Sequence, residues 1–168
     1  TLTGTPGRTG VYLADVVAQA TDRALLIDSD DDAAMADGPV VATDRTFSVS
    51  AFVRLDDVTR DASAVSQAGT VTNGFELGHR VSEACPEGTD GHCWAFEMPG
   101  SDADVAPAVV MSAVPVREGA WAQVTATRDA GGRLGLTVCD LGTVAAPGTK
   151  VPRAAQPQAS HGTWAALG

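Results

Sequence analysis

The run Asp28-Ser29-Asp30-Asp31-Asp32 crowds oxygen donors into one short stretch, which is what a hard cation such as Ca2+ takes as ligands. It is not an EF-hand, because Ala33 and Pro39 stand where that loop needs Gly and Glu. Asp28, Asp30, Asp31 and Asp32 are therefore the candidate calcium ligands, with a plain solvated acidic turn as the alternative. Asp102 and Asp104 form a second carboxylate pair in a loop-like stretch, a candidate ligand site. Trp94, Trp121 and Trp164 offer rings that can stack on sugars, although a Trp opening a strand is more often core. Trp94 and Trp121 join Asp102 and Asp104 as candidate ligand contacts.

Other chemistries find less support. His79, Cys85, His92 and Cys93 match no usual zinc spacing, and the adjacent His92 and Cys93 would point apart on a strand. Nucleophile-elbow, His-Glu-x-x-His and phosphate-loop motifs are missing. A glycosidase needs two carboxylates close together across the scissile bond. Glu76, Glu83, Glu87 and Glu97 are scattered along the chain, and only the fold can bring any of them together. No catalytic residue is assigned.

Cys85 and Cys93 flank Pro-Glu-Gly-Thr-Asp-Gly-His, a strongly turn-forming segment. A disulfide across that turn fits an exported protein, and two reduced thiols in a cytosolic loop are the alternative. Cys139 is left over, either as a buried thiol or as a partner for something outside this chain.

The balance of charge narrows the partners. The chain has 168 residues and a formal net charge of −10. That balance leaves no basic stripe for phosphates, so nucleic acid and anionic membranes are not expected partners. No apolar run reaches membrane-spanning length. The first residues do not read as a signal peptide, which leaves export open.

The elements that must carry these residues read as strands. Residues 46–55 alternate Phe47, Val49, Ala51, Val53 and Leu55 with Thr46, Ser48, Ser50, Phe52 and Arg54. This is the period of a half-buried strand. Phe52 interrupts the polar side, so either that face is covered or Phe52 lines a groove. Further strands are expected at 24–27, 64–68, 74–80, 94–98, 109–114 and 120–127. Asp129-Ala130-Gly131-Gly132 then makes a hairpin turn into a strand carrying Leu134, Leu136 and Val138. Residues 11–20 fit a short helix or an edge strand equally. Residues 142–168 read as a loop, a linker or an incomplete C-terminal strand region. Many short strands without long helical patterns predict one all-β domain over 1–168, a two-sheet sandwich or jelly roll. Phe47, Val49, Val53, Val124, Leu134, Leu136 and Val138 are the expected core.

The strand Arg45-Thr46-Phe47-Ser48-Val49-Ser50-Ala51-Phe52-Val53-Arg54-Leu55 resembles the signature strand of laminin G-like (LamG) concanavalin-type jelly rolls. Val65-Ser66-Gln67, Gly74-Phe75-Glu76-Leu77, Trp94-Ala95-Phe96-Glu97-Met98, Trp121 through Asp129 and Gly132 through Val138 follow that pattern in order. Upstream, Ala24-Leu25-Leu26-Ile27-Asp28 with Asp31-Asp32 resembles the first strand and its acidic turn. The resemblance covers about residues 24–140 and is nearest to domains of secreted actinobacterial proteins. It implies a two-sheet antiparallel jelly roll outside the cell and a structural Ca2+ near the first strand. Phe52 replaces the family's usual Trp, Cys139-Asp140 stands where a Gly-containing turn is common, and the family's acidic closing strand has no counterpart here.

These observations predict a non-catalytic extracellular binding or spacer module of a larger secreted protein, taking a glycan or a protein as ligand. A purely structural shell domain of a secreted or toxin-delivery protein is the first alternative. A glycoside hydrolase on the same fold is the second.

Overall fold

The computed structural model describes residues 26–27, 33–102 and 106–143, and the backbone of 158–163. Among these residues there are eight strands and no helix. They are β1 (Phe47–Arg54), β2 (Ala62–Ala68), β3 (Asn73–Val81), β4 (His92–Met98), β5 (Ala108–Pro115), β6 (Trp121–Arg128), β7 (Arg133–Gly142) and β8 (Gln158–Thr163). One sheet runs β1-β6-β7-β8 and the other β2-β3-β4-β5. Every pairing is antiparallel. The all-β, two-sheet sandwich expected of a jelly roll is what forms.

The alternation in β1 sets the first sheet. β1 pairs with β6 without a register shift, so Val49 faces Ala126, Ala51 faces Val124 and Val53 faces Ala122 on one side. A one-residue slip would turn that whole apolar set outward. The Asp129 hairpin fixes the next pairing. Asp129 Oδ1 accepts the backbone N–H groups of Gly131 and Arg133, and Gly132 takes a φ of 77° that suits glycine.

The core lies between the sheets. Phe75, Leu77, Phe96 and Met98 from one side meet Val124, Leu134, Leu136 and Val138 from the other, all fully buried. Phe47 joins them, its ring centroid 5.4 Å from Phe75 and 6.2 Å from Phe96. Val49, Val124, Leu134, Leu136 and Val138 are buried as expected. Phe47 and Val53 are only half-buried, because β1 is an edge of its sheet among the described residues and lacks a neighbour on one side.

Three readings of the sequence need revision or fall outside view. Leu26 and Ile27 are not in a strand and are 69% and 54% exposed. Apolar composition alone does not make a strand without a partner to pair with. Ala24 and Leu25, and the 11–20 segment, lie outside the described residues. Within the 142–168 stretch, Gln158–Thr163 does form a strand, pairing with β7 from Val138 opposite Gln158 to Arg133 opposite Thr163. Its composition has no strict alternation, so the open edge of β7 rather than local propensity defines it.

Two contacts brace the side of the sandwich. Gln67 is buried at the end of β2, and its Oε1 accepts the N–H groups of Val40 and Val41 while Nε2 donates to the Val41 carbonyl. One side chain thereby pins the approach to β1. At Gly78 an added Cβ would run into the Ala62 carbonyl oxygen. The bulged β2 crosses too close for any side chain there.

Candidate functional site

The outer face of the β1-β6-β7 sheet follows directly from the alternation in β1. With Phe47, Val49, Ala51 and Val53 turned inward, Ser48, Ser50, Phe52 and Arg54 face out. The register sets them in rows across the sheet. Phe52 stands opposite Gln123, and Gln123 opposite Cys139. Ser50 stands opposite Thr125, and Thr125 opposite Thr137. The Ser50 and Thr125 hydroxyls share a 2.8 Å hydrogen bond. Arg54 faces Trp121, with its guanidinium carbon 5.6 Å from the ring centroid. Asp56 holds that guanidinium at two points, Nη2 to Oδ2 and Nε to Oδ1, each 3.1 Å.

Phe52 is 65% exposed. Its ring is the large apolar surface of this face, set in hydroxyl and amide groups. An open ring face accepts the C–H face of a sugar or an apolar side chain, and the neighbouring Ser, Thr and Gln groups donate and accept hydrogen bonds. By contrast, the cleft lined by Leu55, Trp94, Trp121 and Asp140 has a volume of only about 10 Å3, enough for roughly one water.

On the outer face of the other sheet the register unites two of the scattered glutamates. Glu76 on β3 stands directly opposite Glu97 on β4. Arg80, two strand periods along from Glu76, bridges them, its Nη2 2.8 Å from Glu76 and its Nε 2.7 Å from Glu97. Glu76 also accepts hydrogen bonds from Ser63 Oγ and from Asn73 Nδ2. Partial burial alone would raise its pKa, but the Ser63 hydroxyl, the Arg80 charge and the Asn73 amide outweigh it and hold the carboxyl below its ordinary value. A glycosidase acid needs the opposite, a carboxyl kept protonated by its surroundings.

The structure distributes the candidates named from sequence unevenly. Trp121 reaches the outer face. Trp94 does not, being 3% exposed within the core. It is the third residue of β4 and faces the other sheet, so it packs and cannot stack on a ligand. Asp102 reaches from the loop after β4 to the loop between β2 and β3. Its carboxylate oxygens accept the backbone N–H groups of Thr70, Val71 and Thr72 at 2.7, 2.9 and 3.0 Å. Those bonds, Thr72 first, hold its pKa at about 2. It ties loop to loop rather than offering open ligand oxygens. Asp104 lies outside the described residues, as do Asp28, Asp30, Asp31 and Asp32. Among the described residues no group of three or more His, Cys, Asp or Glu side chains could hold a metal.

Cys85 and Cys93 form the disulfide that the turn between them led one to expect, with Cα atoms 5.7 Å apart. It consumes the thiols a zinc site would need. Cys139 is free and half-buried. The Glu76–Arg80–Glu97 bridge escaped the sequence reading. Glu76 and Arg80 share a face by spacing, but Glu97 joins them only through the β3–β4 register.

Residues 28–162 match a laminin G family model described as the concanavalin A-like lectin/glucanases superfamily. No curated protein and no solved structure gives a significant match.

Proposed function

The chain belongs to the concanavalin A-like lectin/glucanases superfamily, and from that membership we propose that it is a non-catalytic extracellular module that binds a glycan on the outer face of β1, β6 and β7. The observation that carries this reading is Phe52, an open aromatic ring on a sheet face with Ser50, Thr125 and Gln123 beside it and Arg54 and Trp121 at its end. A pyranose resting its C–H face on that ring would reach Gln123 at one edge and the Ser50–Thr125 hydroxyls at the other. Arg54, pinned by Asp56 beside Trp121, supplies a fixed charge-bearing donor at the rim.

An extracellular setting is supported by the Cys85–Cys93 disulfide, since such bonds persist mainly outside the reducing cytosol. Absence of catalysis is supported by the state of the Glu76 carboxyl. It is held ionised and clamped by Arg80, where a hydrolase would keep one acid protonated.

A glycan array probed with the wild-type chain and with Phe52→Ser tests this reading. The wild type should bind a restricted set of glycans, and Phe52→Ser should weaken each hit at least about tenfold. Equal binding by both proteins, or an empty array, would contradict it.

A further inference from the structure

The inner surface of β3 and β4 holds two imidazoles that the binding reading does not use. His79 is fully buried, opposite Ala62 on β2 and Trp94 on β4. Its ring stacks on that of His92, with centroids 5.6 Å apart and planes inclined by 18°. His79 Nδ1 lies 3.0 Å from the Arg60 carbonyl oxygen. A carbonyl can only accept, so Nδ1 carries the hydrogen and Nε2 of the neutral ring is the bare nitrogen. That Nε2, and Nδ1 of His92, are buried without a hydrogen-bond partner among the described residues.

The Arg60 bond ties the 56–61 loop to β3, and a second bond does the same. In the second, the Val81 N–H donates to Asp61 Oδ1 at 2.8 Å. A proton arriving at His79 Nε2 would place a charge where no acceptor waits and against a second imidazole. Burying such a charge costs far more than leaving the ring neutral. We propose that His79 and His92 form an acid-released latch, which holds the 56–61 loop on β3 when neutral and frees it when His79 takes up a proton.

The charged groups around the ring are Asp57, Arg60 and Asp61 from the loop, Arg80 from β3 and His92 from β4. Burial is the largest influence on His79 and lowers its pKa. The bond to the Arg60 carbonyl and the Asp61 charge oppose this, while His92 and Arg80 add to it, and the balance stays below the ordinary 6.5. A histidine depressed on folding contributes stability that is complete above its unfolded value, and this is lost as pH falls through the folded one. The latch is therefore shut at neutral pH and opens in acid.

Amide hydrogen exchange of the wild-type chain at about pH 7.5 and about pH 5, corrected for the intrinsic pH dependence of exchange, tests the latch alongside an NMR titration of the His79 ring. Protection of residues 57–61 and of Val81 should fall at least about tenfold in acid, and His79→Gln should abolish that pH dependence. The His79 ring should titrate below 6.5. Protection that is the same at both pH values, an equal acid loss in His79→Gln, or a His79 midpoint at or above 6.5 would each overturn the proposal. The ring titration uses the wild type alone, so it decides even where the variant does not fold.

Discussion

Glu76 and Glu97 face each other across β3 and β4, and one guanidinium, that of Arg80, is bonded to both. Like charges directly opposite on neighbouring strands repel. Arg80 turns that repulsion into a bridge, and Ser63 and Asn73 complete the hydrogen bonding of Glu76.

Arg80→Met should leave two partly buried carboxylates facing each other and cost about 2–3 kcal/mol. This is less than removing one partner of a fully buried pair, because these side chains keep some water. Glu76 is depressed below 4.5 in the fold. Its contribution is therefore present above that value and fades as the carboxyl protonates. Urea titrations should show a wide gap between wild type and variant at neutral pH and a narrower one near pH 3.5. A gap that widens in acid would contradict the bridge.

Removal of the Cys85–Cys93 disulfide by the double Ala variant should lower stability by about 2–3 kcal/mol, the loop entropy of so short a ring. The fold should survive, because the core lies between the sheets, away from this turn. Circular dichroism with denaturant melts measures both outcomes, and complete unfolding of the double variant would assign the turn a larger role.

Asp102→Ala should release the three amides it holds, raising the exchange rates of Thr70, Val71 and Thr72 while leaving β3 protected. In the wild type the tie should last well into acid, since the Asp102 pKa is about 2. A depressed carboxyl contributes above its unfolded value and fails only as pH falls through the folded one. NMR exchange measured down to about pH 3 checks this. Loss of protection already near pH 5 would contradict it.

Phe75→Ala should cost about 3–5 kcal/mol, and Phe47→Ala about 2–3 kcal/mol, as judged by chemical denaturation. Phe75 is fully buried and Phe47 sits on the edge strand. A larger loss at Phe47 than at Phe75 would mean that β1 is covered more deeply than its exposure indicates.

What could be read from sequence was local. The period-two pattern of β1, the hairpin at Asp129 and the disulfide across the Cys85–Cys93 turn each depend on residues close together in the chain, and each took the form expected. Phe52 was legible as an interruption of the polar face, but whether anything covered it depended on tertiary context. Trp94 and Trp121 look alike in sequence, each near the start of a strand. Trp94 is the third residue of its strand and Trp121 the first of its own, and only the sheet face each occupies sends one into the core and the other outward. Asp102 resembled a ligand because the amides it binds belong to a loop 30 residues away. Glu76 and Glu97 became neighbours through a strand register that no local rule specifies.

The most direct measurement is a heteronuclear NMR titration of the chain with a glycan identified on the array. Binding as described should shift the amides of Ser50, Phe52, Gln123, Thr125 and Thr137, leave the glycan intact, and weaken at least about tenfold in Phe52→Ser. Shifts gathered around Glu76, Arg80 and Glu97 instead, or cleavage of the glycan during the titration, would contradict the account.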